Sequence, residues 1–79
     1  MLTLPLEEEV RLRRTLPTPA TCRALREELH LSRRVVAEHC GVSEAAVRAW
    51  EAGRRRPKGA HLRLYVEVLE LLRTSPPNP

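Results

Sequence analysis

The sequence predicts an all-α fold, a compact bundle of four to five helices, and three observations carry that expectation. The apolar residues are mostly Leu, Val and Ala, with one Trp, one Tyr and no Phe, and Leu and Ala favour helix. No stretch alternates β-branched and aromatic residues with the period of two that a strand face requires. Apolar residues recur instead at helical spacing between capping residues, prolines and glycines. At 79 residues, the chain is one small domain that buries only about 60% of its unfolded surface.

The first helix is read over Leu4 to Arg14. Pro5 suits a first turn, and Glu7–Arg11 and Glu9–Arg13 are i,i+4 pairs in the favourable order. Two prolines in Thr15-Leu16-Pro17-Thr18-Pro19 forbid its continuation. Residues 1–17 are therefore expected as a helical appendage and linker. A second helix runs from Pro19 to His30, with Thr18 as N-cap and Pro19 at the first helical position. Cys22, Leu25 and Leu29 form its apolar stripe. Ser32 caps a two-turn helix, Arg33 to Cys40, whose Val36, Ala37 and Cys40 point inward. Gly41 ends it in a left-handed conformation.

Val42 then enters the core and Ser43 caps a fourth helix reaching about Ala52, with Val47 and Trp50 inward and Gly53 at its end. The loop Arg54-Arg55-Arg56-Pro57-Lys58-Gly59 is not helical throughout. The last helix, about Ala60 to Arg73, carries two apolar rows: Leu62, Tyr65 or Val66, Leu69, Leu72, and Leu64, Val68, Leu71. That face is broader than one core contact needs, so Leu64, Val68, Leu71 and Leu72 are the candidate dimer contact. Residues 18–73 form the main domain. Residues 74–79, rich in proline, are expected as a disordered tail.

Net charge is +4, and its distribution is uneven. Residues 1–30 hold five Arg and five Glu, whereas residues 31–79 hold nine Arg or Lys against five Glu. Arg54, Arg55, Arg56 and Lys58 concentrate the excess in one cluster, which suits a polyanion such as DNA, RNA or an acidic membrane surface. The membrane reading is the weaker, because these residues occupy a loop and not one face of a long amphipathic helix. No stretch approaches the roughly 18 apolar residues of a membrane span, and the N-terminus lacks the apolar run of a signal peptide. A cytoplasmic, nucleoid-associated location is expected, with Cys22 and Cys40 as free thiols filling core gaps.

Catalysis is not expected. No Asp occurs, and the glutamates are accounted for as helix surface. His30, His39 and His61 with the two cysteines match no zinc spacing. The chain is read as needing no metal and no cofactor.

A two-turn helix, a glycine turn with one inward valine, and a second capped helix make a helix-turn-helix. Gly41 permits the steep reversal, because glycine alone takes positive φ without steric cost. Ala37 permits two helices to cross closely. The helix Ser43–Ala52 is then presented as a rod that fits the major groove of double-stranded DNA.

Here the sequence resembles the Cro/repressor (Xre-type) helix-turn-helix family, over about Leu25 to Leu72. The resemblance rests on Ser32, Val36-Ala37, Gly41-Val42-Ser43, Val47, Trp50-Glu51, Gly53, the basic loop and Pro57. It implies a lambda-repressor-like bundle and a transcriptional regulator, with repressors of phage or prophage type the expected relatives. It also implies a structural ion pair between Arg26 and Glu51. Base readout is assigned to Glu44, Ala45, Arg48 and Ala49, where the family often carries Gln, Arg or Asn. Glu44 can accept from cytosine, the alanines can touch a thymine methyl, and Arg48 can read guanine or a phosphate. The blander role for Glu44 is stabilising the helix N-terminus. With two alanines facing the groove, DNA shape carries much of the specificity. Phosphate contacts fall to Arg33, Ser43, Arg54, Arg55, Arg56 and Lys58. A homodimer on an inverted repeat is the expected assembly. The alternative is an antitoxin, in which residues 4–14 or 62–72 hold a protein partner while the helix-turn-helix represses its own operon.

Overall fold

A computed structural model describes residues 4–76. Five helices follow in order: α1 (Leu6–Thr15), α2 (Pro19–Glu28), α3 (Arg33–Cys40), α4 (Glu44–Glu51) and α5 (Gly59–Thr74). The described residues contain no strand, and none of their helices is long and apolar enough to cross a membrane.

Three caps form as the sequence predicts. The Thr18 hydroxyl accepts from the Thr21 N–H at 3.3 Å, Ser32 from Val35 at 3.2 Å, and Ser43 from Ala46 at 3.1 Å. Each occupies one of the donors that a helix N-terminus leaves without an intrahelical partner. Gly41 closes α3 at φ 71°, and the Val42 N–H reaches back to the Ala37 carbonyl at 3.0 Å. A Cβ at Gly41 would meet nothing within 4 Å, so conformation and not space selects glycine there.

The end of α2 differs from the expectation. The helix stops at Glu28 instead of His30, and His30 takes φ 58°. The Leu31 N–H then folds back onto the Arg26 carbonyl at 3.2 Å. That return satisfies an orphan carbonyl at the cost of a left-handed residue that is not glycine.

The main core gathers Cys22, Val36, Ala37, Cys40, Val47, Trp50, Tyr65, Leu69 and Leu72. Trp50 and Tyr65 stack at its centre with ring centroids 4.7 Å apart and planes tilted by 46°, within the favoured range for aromatic pairs. Both cysteines are buried free thiols, and burial pushes the Cys40 thiol up to about 11. A second, smaller cluster joins Leu12 to Leu62 and Val66. Residues 1–17, read as an appendage, thus have α1 packed along α5. Glu8 adds an ion pair with Arg63.

On α5 the row Leu62, Tyr65, Val66, Leu69, Leu72 is buried. This corrects Leu72 as a dimer contact: it is 5% exposed, inside the core. Of the second row, Leu64 and Val68 are partly buried against the core, and Leu71 is 67% exposed. Of the residues expected as a tail, Thr74 closes α5 and Ser75 caps it. Residues 77–79 lie outside the described residues, as do residues 1–3 of the N-terminal segment.

Candidate nucleic-acid interface

The site is built on α4, which packs against α3 and α2. Val47 and Trp50 anchor it in the core, and its opposite side is left to solvent. Ser43, Glu44, Ala45 and Arg48 are exposed together at its N-terminal end. Glu44 and Arg48 face each other at 3.6 Å as an i,i+4 pair, both about half exposed, a geometry easily exchanged for contacts with a ligand.

Ala49 is a correction. The resemblance implies a groove-facing position for it, yet it is 8% exposed. The chain after α4 folds back over it, and the N–H groups of both Arg54 and Arg55 donate to its carbonyl, at 3.0 and 3.4 Å. The outward surface of α4 is therefore shorter than the helical wheel implies, and it ends at Arg48.

Glu51 closes α4 inside the protein. Arg26 grips its carboxylate through two hydrogen bonds, Nε at 2.6 Å and Nη2 at 2.9 Å, and spends Nη1 on the Leu31 carbonyl at 2.7 Å. This is the Arg26–Glu51 pair the resemblance implies. Arg33 joins it, with Nε 3.0 Å from the same carboxylate. Burial pushes the Glu51 carboxyl up, but hydrogen bonds and charge from Arg26 and Arg33 outweigh it and hold the group below its ordinary range. The position of Arg33 qualifies its assignment to phosphate: its Nε is committed to Glu51, and the side chain is 28% exposed.

The loop cations are differently placed. Arg54, Arg55, Arg56 and Lys58 are exposed, and none joins an ion pair among the described residues. Pro57 is buried between them and pins the loop to the body. An open groove of about 520 Å³ runs beside the start of α4, lined by Ser43, Ala46, Arg55, Arg56, Lys58 and His61. His61 is the residue that sequence reasoning weighed only as a metal ligand. Its Nδ1 lies 3.0 Å from the Cys40 carbonyl, which requires a proton on Nδ1 and turns Nε2 away from that bond. Its position three residues past Lys58 was the available signal, but its facing α4 depends on tertiary structure. Cationic groups, a capped helix start and an exposed polar helix face thus lie side by side, an arrangement suited to a polyanion with a groove.

The family described as helix-turn-helix matches residues 23–73, well over half of the chain, and the match begins inside α2. No curated protein and no solved structure gives a significant match.

Proposed function

Because the chain belongs to the Cro/repressor (Xre-type) helix-turn-helix family, a family of DNA-binding transcription regulators, we propose that it is a sequence-specific repressor of phage or bacterial type. In this reading α4 enters the major groove as a rigid rod, with Glu44, Ala45 and Arg48 toward base edges. Ser43, Arg54, Arg55, Arg56 and Lys58 grip the flanking phosphates, and the remaining nitrogens of Arg33 reach the backbone from the start of α3. The carrying observation is that the exposed start of α4, at Ser43, borders the same groove as Arg55, Arg56 and Lys58, cations that join no ion pair among the described residues. The protein acts by binding alone, in the cytoplasm beside the nucleoid, without catalysis, metal or cofactor. It does so as a homodimer through Leu64, Val68 and Leu71, with half-sites about 34 Å apart or a multiple of that.

The antitoxin reading is favoured by a separate observation. Leu6 and Val10, one turn apart on α1, are 78% and 45% exposed, and α1 lies outside the family match.

Selection from a random duplex library at physiological salt tests the main reading. Recovery of a two-fold-symmetric motif supports it, with a log–log salt slope near −4 per domain and about 2 units shallower after Arg55→Ala with Arg56→Ala. Sequence-blind binding, or a slope untouched by the double variant, rejects it.

A further inference from the structure

Where α1 meets the rest of the molecule, a cleft of about 230 Å³ opens between the α1–α2 linker, the end of α4 and the basic loop. Leu16, Pro17 and Trp50 supply apolar wall, and Arg13, Arg55 and Arg56 supply charge. No carboxylate among the described residues lines it. Arg13 is already bound to Glu9 at 2.8 Å, so the charge open to a ligand is that of Arg55 and Arg56.

Tyr65 also lines the cleft. The residue is 3% exposed, and its hydroxyl is the buried side-chain polar atom without a hydrogen-bond partner among the described residues. Its polar neighbour is the Cys22 thiol, a weak partner turned toward the Pro17 carbonyl at 3.6 Å. A buried hydroxyl left unpaired is unfavourable and calls for an acceptor. Burial also pushes the Tyr65 pKa upward, which keeps the hydroxyl a donor. The hydroxyl itself has less than 1 Å² of accessible surface, so it lies beneath the wall of the cleft and a ligand there does not touch it.

We propose that this cleft binds a small organic carboxylate, its apolar body against Trp50 and Pro17 and its oxygens held by Arg55 and Arg56. Size sets the class. With liquid water at roughly 30 Å³ per molecule, the space equals about eight waters, which suits a benzoate-sized acid and falls below the roughly 300–1,000 Å³ of drug-sized sites. The position also matters for regulation. Arg55 and Arg56 border this cleft and the groove beside α4 as well. A bound carboxylate draws their charge away from that groove and weakens DNA binding, and DNA reciprocally weakens the acid. That coupling, unlike the binding itself, rests on the DNA-binding reading.

Trp50 is the sole tryptophan, so its emission reports occupancy in the full chain without DNA. The titrants are hexanoate, benzoate and phenylacetate, with hexanamide and benzamide as neutral counterparts and acetate as a carboxylate lacking the apolar body. The expected result is a saturable change with at least one apolar acid, with its amide and acetate at least about tenfold weaker. Arg55→Ala with Arg56→Ala, both exposed positions, should abolish the change. The proposal is overturned if no acid saturates below about 10 mM, if amides bind equally, or if the double arginine variant binds as the parent does. A saturating acid should then lower affinity for a duplex about tenfold. Undiminished DNA affinity with intact acid binding overturns the coupling, whereas absence of any DNA binding rejects the regulator reading and leaves the fluorescence result standing.

Discussion

Glu44 and Glu51 stand two turns apart on one stripe of α4, and the protein treats them in opposite ways. The Glu44 side chain is 48% exposed and meets Arg48 at 3.6 Å. The Glu51 side chain is 3% exposed and is held by two arginines at 2.6 to 3.0 Å. A stripe on a helical wheel is thus not a face of the protein. The N-terminal end of α4 projects from the body, while its C-terminal end runs in among α2, the start of α3 and the returning loop. Exposed ion pairs contribute about 0–1 kcal/mol, whereas breaking a buried pair costs about 3–5 kcal/mol. One end of the helix is therefore free to meet a ligand because the other is fixed.

The contrast breaks most readily at Glu51. Glu51→Ala leaves Arg26 buried without its partner and should cost about 3–5 kcal/mol in urea unfolding; a loss below about 1 kcal/mol would erase the distinction between the two glutamates. Acid should act on the same carboxylate. Its folded pKa is lowered, so its stabilisation is present above the unfolded value of about 4.3 and is lost as pH falls through the folded value. Thermal melts from pH 7 down to pH 3 should show that decline, and Glu51→Gln should flatten it.

Arg26→Ala and Arg33→Ala sharpen the comparison. Arg26 makes three of the cluster's hydrogen bonds and Arg33 makes one from a more exposed position. Costs of about 3 and about 1 kcal/mol are expected respectively, and equal losses would mean that depth does not govern the cluster. Ser43→Ala removes the cap at the projecting end and should cost about 1 kcal/mol by the same unfolding assay. Glu44→Ala comes last, at no more than about 0.5 kcal/mol, while the base preference recovered from a random duplex library shifts. A large stability loss with unchanged preference would reassign Glu44 to the scaffold.

The parts of this molecule written in short sequence were legible. Thr18, Ser32 and Ser43 cap helices because a hydroxyl and a donor three residues on define the interaction. Gly41 turns the chain for reasons internal to its own backbone. The two apolar rows of α5 followed from spacing, though not which of them is buried. What escaped depends on elements distant in sequence. Ala49 is covered by the chain that returns over it, and Leu72 lies in the main core with Cys22 and Val36, so which apolar row packs inward is settled by neighbours on other helices. Arg33 is captured by a carboxylate eighteen residues away. His30 in a left-handed turn gave no signal, because the usual markers of that conformation are Gly and Asn. The cleft at Tyr65 was invisible for the same reason: its walls come from three separate stretches of chain.

The attachment of α1 has a consequence for how the molecule breathes. Its buried anchor is Leu12, seated on Leu62 and Val66, with Leu4 and Leu16 partly covered at the margins. Burying one such side chain contributes about 1.5–3 kcal/mol, a fraction of the roughly 5–15 kcal/mol that holds a domain folded. α1 is thus poised to peel away as a unit while the other four helices persist, and its backbone amides should exchange with solvent well before those of α4 or α5. Each excursion bares Leu62, which is otherwise wholly enclosed, and carries off Arg13 and Leu16 from the rim of the Tyr65 cleft. Detachment of the helix thus takes away part of the cleft's apolar wall, and a protease that catches α1 detached would leave the cleft incomplete.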